Sequence, residues 1–234
     1  MSVSKQKKPQ VLWKGFCARM KLAADSVPLF DVDEDLRVGV HEIGTRSPRF
    51  LLKRSSEMEE MVIEAANQLV HDWRGDSDFE GLIYLMSHKG AEGEVIPLYV
   101  GKTQTLGKGD GNLSANIENL SSTNQGKFAR WGDGYQYHIG DLSAVVLGHP
   151  EQRQNEKYKD WASALFVEYP IRHPQRPKLR RPVHFWIKPW KKNDVGPWED
   201  FGPTNLTFLE YLLIGVASAA YPETVLNREG QNRG

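Results

Sequence analysis

Two tyrosines, a lysine and a glutamate are the residues of this chain whose types and spacing point to chemistry. The stretch LYVGKT at 98–103 is strand-like and ends on a glycine, a lysine and a threonine, and it admits two readings. It is either the tail of a phosphate-cradling nucleotide loop or a strand that carries Tyr99 to a phosphodiester. A nucleotide loop needs a glycine five positions before the glycine of GKT, so that backbone amides can wrap the phosphates. Ile96 stands there, and Pro97 stiffens the segment that would have to curl, which sets the nucleotide loop aside. Glu210 is the second group. It lies in FLEYLLIGV, where an ionised carboxylate is costly unless it is paired or metal-bound. Mg²⁺ (or Mn²⁺) suits such a site, because it accepts one protein carboxylate, keeps several waters and takes other ligands from a phosphate. The alternative is local: Thr207 and Glu210 have capping-box spacing, so the glutamate can instead tie off a helix start. A third feature is the segment 171–192, IRHPQRPKLRRPVHFWIKPWKK. It carries Arg172, Arg176, Lys178, Arg180, Arg181, Lys188, Lys191 and Lys192 with no acid, interleaved with Phe185, Trp186 and Trp190. Such a run suits a polyanion track or, more blandly, a solvated loop leading into an edge strand. The acids gather in DVDEDL at 31–36 and EMEEMVIE at 57–64, so a two-faced charge distribution is expected. His138, His173 and His184 lack metal-ligand spacing with one another; His138 is the minor candidate for a base.

Elements must position these groups. FEGLIYLMSH and VIPLYVGKT are β-rich runs joined by KGAEGE and predict a hairpin, with Tyr84 and Tyr99 on one side of a small sheet. TNLTFLEYLLIGVASAA predicts the most apolar helix and carries Glu210. SSEMEEMVIEAANQLVHDW at 55–73 has apolar residues every three and four positions and predicts an amphipathic helix, with Ser56 and Glu59 as its capping box. RGDSD at 74–78 breaks that pattern. RVGVHEIG, RFLLKR, Leu142 to Leu147 and VHFWIKPW read as strands, and QNEKYKDWASALFVEY reads as a helix. The last seven residues, REGQNRG, read as a frayed tail. The fold class expected is α/β (α+β), a small, mainly antiparallel sheet flanked by helices.

Leu82-Ile83-Tyr84 and Tyr99-Val100-Gly101, in this order, with Glu210 on a late helix and YPETVLN ending at Asn227, resemble the GIY-YIG nuclease family, in particular its restriction-enzyme branch. The likeness covers roughly residues 79–230. It implies a 1–76 extension with one amphipathic helix and a catalytic domain over 77–230 interrupted by an insertion at about 131–182. It also implies a Mg²⁺-dependent endonuclease that hydrolyses double-stranded DNA. Tyr84 and Tyr99 would orient the attacking water. A phenol with a pKa of about 10 is a poor base at neutral pH unless a cation lowers it, and Lys102 is the nearby cation in sequence. The resemblance assigns the metal to Glu210 and the holding of the site's geometry to the Asn227 amide. It gives the charge on the phosphoryl oxygens to Arg130, the next arginine in order, with Arg153 as the alternative. Gly81 precedes Leu82 instead of occupying its place. Restriction or defence against foreign DNA is the role this implies, and a symmetrical target favours a homodimer. A module that kept the fold and binds DNA without cutting it is the competing expectation.

The bulk numbers agree with a globular chain. Its 234 residues are 39% hydrophobic and 26% charged with a formal net charge of zero, enough to bury a sizeable core. A lone Cys17 excludes an internal disulfide and a cysteine-based zinc cluster. The basic start, MSVSKQKKPQVLWKGF, lacks an apolar stretch and argues against secretion, so the cytoplasm is the expected compartment.

Overall fold

The structure is a computed structural model and describes residues 3–44, 48–72, 78–107, 113, 114, 117 and 138–232. It is mixed α/β, a small antiparallel sheet flanked by helices. The helices are α1 (Val3–Arg19), α2 (Leu22–Asp25), α3 (Ser56–Asp72), α4 (His138–Val146), α5 (Glu156–Leu165) and α6 (Leu206–Ala220). The strands are β1 (Val27–Pro28), β2 (Val40–Ile43), β3 (Arg49–Leu52), β4 (Phe79–Lys89), β5 (Val95–Gln104) and β6 (His184–Lys191). Four strands form the main sheet in the order β1-β6-β4-β5, and β2 pairs with β3 as a separate hairpin. Among the described residues no helix is long and apolar enough to cross a membrane.

The near-continuous apolar run in β4 follows from its place. With β6 on one side and β5 on the other, residues 81–88 are buried on both faces. Successive side chains alternate between the faces. Leu82, Tyr84 and Met86 join the core built with α3, α4 and α5, whereas Ile83 and Leu85 join Trp186, Trp190 and the inner faces of α1 and α6. Residues 1–76 enter both cores. Leu29, Phe30 and the buried side of α3 join the first, and Trp13 and Phe16 of α1 the second, where the Trp13 indole donates to Val95 O at 2.8 Å.

Two local expectations are corrected. Leu142 to Leu147, read as a strand, is helical as far as Val146, the end of α4: Ile139, Leu142, Val145 and Val146 fall on one helical face, and tertiary packing overrides the β-branched propensity. The helix is tied to β3 by Ser143, whose hydroxyl accepts from Leu52 N–H at 3.0 Å. At the start of α3 the cap is Ser55, one residue before the expected Ser56. Its hydroxyl accepts from Met58 N–H at 3.0 Å, while Glu59 pairs with Arg54 at 2.9 Å.

Candidate active site

The β4–β5 register sets Tyr84 opposite Gly101 and Met86 opposite Tyr99, so the two tyrosines share one face. Tyr84 is almost fully buried and its ring lies across Gly101. A Cβ at 101 would sit 2.5 Å from a Tyr84 ring carbon, so only glycine leaves room for the ring. Crossing that gap, the Tyr84 hydroxyl reaches the main-chain carbonyl of Lys102 at 3.4 Å. Gly81 has its own reason to be glycine: it adopts φ +155°, and a Cβ there would meet Thr103 O at 2.1 Å.

β5 is an edge strand, and the C-terminal segment covers part of that edge. The Thr224 hydroxyl donates to Pro97 O at 2.8 Å, and Leu226 N–H donates to Leu98 O at 2.7 Å. Asn227 closes the series: its Oδ1 accepts from Val100 N–H at 3.0 Å and its Nδ2 donates to Val100 O at 2.8 Å. Val100 therefore points its backbone groups away from β4, and by the period of two so does Lys102. The bonds of the C-terminal segment to this edge reach Val100, and Ser114 takes the edge up again at Gln104, its hydroxyl donating to Gln104 O at 2.7 Å.

Glu210 approaches Lys102 from the opposite face. The Asn205 side chain caps α6, accepting from Phe208 N–H at 2.9 Å, and Glu80 accepts from Leu206 N–H. The capping-box alternative for Glu210 is thereby excluded, since the cap lies two residues before Thr207. The Glu210 carboxylate instead makes an ion pair with the Lys102 ammonium at 3.6 Å, both side chains being about four-fifths buried. Burial pushes the Glu210 carboxyl above its ordinary range, opposed by the Lys102 ammonium and N–H, and the nearby Glu229 carboxylate adds to the rise. A phenol from one face and a carboxylate from the other thus converge on the main chain of one residue. Among the described residues no three His, Cys, Asp or Glu side chains gather as a metal-holding group.

Tyr99, on the same sheet face as Tyr84, stands in a cluster of rings. It lies 4.9 Å from the Trp161 ring and edge-on to His138 at 5.3 Å, and the Lys157 ammonium sits 3.5 Å from its hydroxyl and 4.8 Å from its ring centre. His138, the minor candidate base, is buried with Nδ1 2.7 Å from the Tyr158 hydroxyl and stacks on Trp161. Lys157 and Glu229 were not singled out by sequence. Both reach the site from segments distant in the chain, and no spacing marks them. Arg130 lies outside the described residues; Arg153 sits in an exposed 3-10 turn at Glu151–Arg153.

The basic stretch does not form one track. Phe185, Trp186 and Trp190 are core residues, so these rings have no free face for a nucleobase. Arg176 is held by Asp33 at 3.0 Å and by the Arg37 and Val38 carbonyls, and the Lys178 main chain pairs with that of Arg37 in an isolated β-bridge. Arg180 points at the Ser163 and Val167 carbonyls, while Arg172 and Arg181 are exposed. At the other end Lys188 reaches the Met20 sulfur at 3.6 Å, Lys191 lies 5.0 Å from the Phe79 ring centre, and Lys192 is exposed. The acidic turn at 31–36 packs against this stretch through Asp33, so the expected separation of charge onto two faces does not occur there. Compared with known proteins, the chain matches no protein-family model, no curated protein and no solved structure.

Proposed function

We propose that this chain is a metal-dependent DNA endonuclease of the GIY-YIG type, acting in restriction or defence. The observation that carries the reading is the meeting of Tyr84, Lys102 and Glu210 on the outer edge of β5. Phosphodiester hydrolysis needs an oriented water, a base and cations facing the phosphoryl oxygens. Tyr84 holds the attacking water and, when ionised, takes its proton. Water oxygen bonds to phosphorus as the bond to the leaving deoxyribose oxygen breaks, and that oxygen takes a proton from solvent. The Lys102 ammonium faces the charge on the phosphoryl oxygens, a role shared with Arg130, and Lys157 favours an ionised or strongly polarised Tyr99. Glu210 would hold Mg²⁺, which when bound supplies further neutralisation of the phosphate. Asn227 keeps the edge in register, so that the Lys102 main chain stays within reach of both side chains. Exposed cations of the 171–192 stretch, Arg172, Arg181 and Lys192, are available to phosphates of double-stranded DNA.

The Lys102–Glu210 pair also favours a second reading, a DNA-binding module that no longer cuts, because an ammonium already compensates the carboxylate that a metal would use. Supercoiled plasmid incubated with Mg²⁺ separates the two. The endonuclease reading expects nicking by the wild type, at least about 100-fold slower in Glu210→Ala and in Tyr84→Phe. Retarded but uncut DNA with every variant overturns the endonuclease reading and leaves the binding module.

A further inference from the structure

Hydroxyls around β5 are spent on main-chain carbonyls: Thr105 donates to Phe79 O at 3.2 Å, Ser114 to Gln104 O at 2.7 Å and Thr224 to Pro97 O at 2.8 Å. Thr103 departs from this. It is 3% exposed, and its hydroxyl oxygen, shut off from solvent, has no hydrogen-bond partner among the described residues. Valine has the same shape, is equally at home in a strand, and would leave no polar atom behind. A buried hydroxyl without a partner is costly, and such groups are normally satisfied by ordered water where protein does not serve. The Thr103 side chain also stands where a water is of use. Thr103 lies opposite Leu82 as Gly101 lies opposite Tyr84, so by the period of two it shares the sheet face of the Tyr84 ring. The Lys102 carbonyl belongs to the same peptide unit as the Thr103 nitrogen, and the Tyr84 hydroxyl stands 3.4 Å from that carbonyl oxygen. Phenol and hydroxyl therefore flank one peptide unit, an arrangement suited to a single bridging water, whose two hydrogen bonds of about 2.8 Å span up to roughly 5.6 Å.

We infer that Thr103 is a further water-binding residue of the site, its hydroxyl and the Tyr84 phenol holding the hydrolytic water between them, a role that rests on the nuclease reading. Tyr84 alone fixes one direction and leaves the water free to turn about it. A second acceptor removes that freedom, because a threonine hydroxyl has two lone pairs to offer besides its own proton. One water proton points at Thr103 Oγ1 and the other at the Tyr84 oxygen, which leaves a lone pair of the water aimed at phosphorus. As the new O–P bond forms and the bond to the leaving deoxyribose oxygen breaks, ionised Tyr84 takes the proton it faces. The other proton stays on the oxygen that has joined the phosphate, and the leaving oxygen takes one from solvent. Thr103 keeps its own proton throughout, so it orients the water and is not the base.

Two measurements on the full chain test it, with Thr103→Val and Thr103→Ser beside the wild type. Water-to-protein magnetisation transfer by NMR is expected to show a long-lived water at residue 103 in the wild type and the serine variant and none in the valine variant. Nicking of supercoiled plasmid with Mg²⁺ is expected to fall at least about 10-fold in kcat for valine, with KM unchanged, and to stay within about 3-fold of wild type for serine, since misplacing the attacking group costs rate and not binding. A purely structural threonine predicts the reverse: valine, free of the stranded oxygen, cuts as fast as the wild type. If the valine variant fails to fold, as judged by far-UV circular dichroism, Thr103→Ala takes its place. A wild type that shows no bound water at residue 103, or that nicks no faster than the valine variant does, overturns the inference while leaving the nuclease reading intact. Plasmid left uncut by the wild type itself is a different failure, which sinks the nuclease reading and the hydrolytic role of this water with it.

Discussion

Replacing Asn227 by alanine tests how the exposed end of β5 is held. The Asn227 amide is buried and makes two hydrogen bonds, of 3.0 and 2.8 Å, to the N–H and C=O of Val100, which is itself fully buried. Alanine leaves both backbone groups without those partners and gains no apolar contact in return. Each orphaned buried group costs about 1–3 kcal/mol, so the pair predicts a loss of about 2–6 kcal/mol. This is a large share of the ~5–15 kcal/mol by which a domain is stable. Urea unfolding reads it as a lower midpoint at unchanged slope. Amide hydrogen exchange gives the local signature: Val100 N–H should lose protection far beyond the global change, whereas Leu85 N–H in the middle of the sheet should not. An exposed cap with one such bond, Asn155 at the start of α5, is the control, and its alanine variant should lose only about 1 kcal/mol. If Asn227→Ala costs less than about 0.5 kcal/mol and leaves Val100 protected, the clamp does not hold the edge.

Gly101→Ala should destabilise by about 1–3 kcal/mol, because its Cβ would lie within 2.8 Å of three atoms of the Tyr84 ring, which has no free space to retreat into. Tyr84→Leu in the same chain should recover part of that loss in a double-mutant cycle, and strict additivity would refute the contact. His184 supplies an acid limb. Burial first, then the Lys89 and His88 charges, lowers its pKa to about 4, whereas the unfolded chain titrates near 6.5. The unfolded state therefore binds more protons between these values. The stabilisation is whole above pH 6.5 and is lost as pH falls toward 4. Each pKa unit is worth about 1.4 kcal/mol, and solvent screening of this half-buried ring leaves about 1–2 kcal/mol in all. Urea midpoints of wild type and His184→Leu at neutral and mildly acid pH should show a shallower acid loss in the variant; parallel losses would refute it.

Patterns confined to one element were legible in the sequence. The hairpin, the amphipathic α3, the apolar α6 and β6 all carry their period in ten to twenty consecutive residues. α1 was not read, although Trp13, Phe16, Cys17 and Met20 have helical spacing, because the basic residues around them mask the stripe. α4 was misread as a strand because Ala-Val-Val-Leu at 144–147 has the composition of one; the apolar spacing from Ile139 to Val146 was the better guide. For the site, the tyrosines and Asn227 could be named from order along the chain. Their partners could not. Lys157, Glu229 and the division of the basic stretch depend on how distant segments pack, and no local spacing encodes that.

The same limit explains why the meeting of Tyr84 with Glu210 had to await the sheet. Tyr84 belongs to the face packed on α3–α5 and Glu210 to the helix on the other face, so across the interior of a sheet they would be separated by a layer of backbone. Groups from opposite faces can share a space only where the sheet ends. β5 provides such an end, and two glycine-dependent features bring the groups to it. Gly101 lets the Tyr84 ring lie flat enough to reach the Lys102 carbonyl, and Gly81 lets β4 approach Thr103 closely at the same end. Covering the edge with the C-terminal segment protects it from pairing with another chain, as far as Val100. At Lys102 the outward-facing backbone groups are taken instead by the two side chains, the carbonyl by Tyr84 and the N–H by Glu210. An edge strand is usually a liability to be hidden; here Asn227 covers it at Val100, Ser114 at Gln104, and Tyr84 and Glu210 meet on the residue between them.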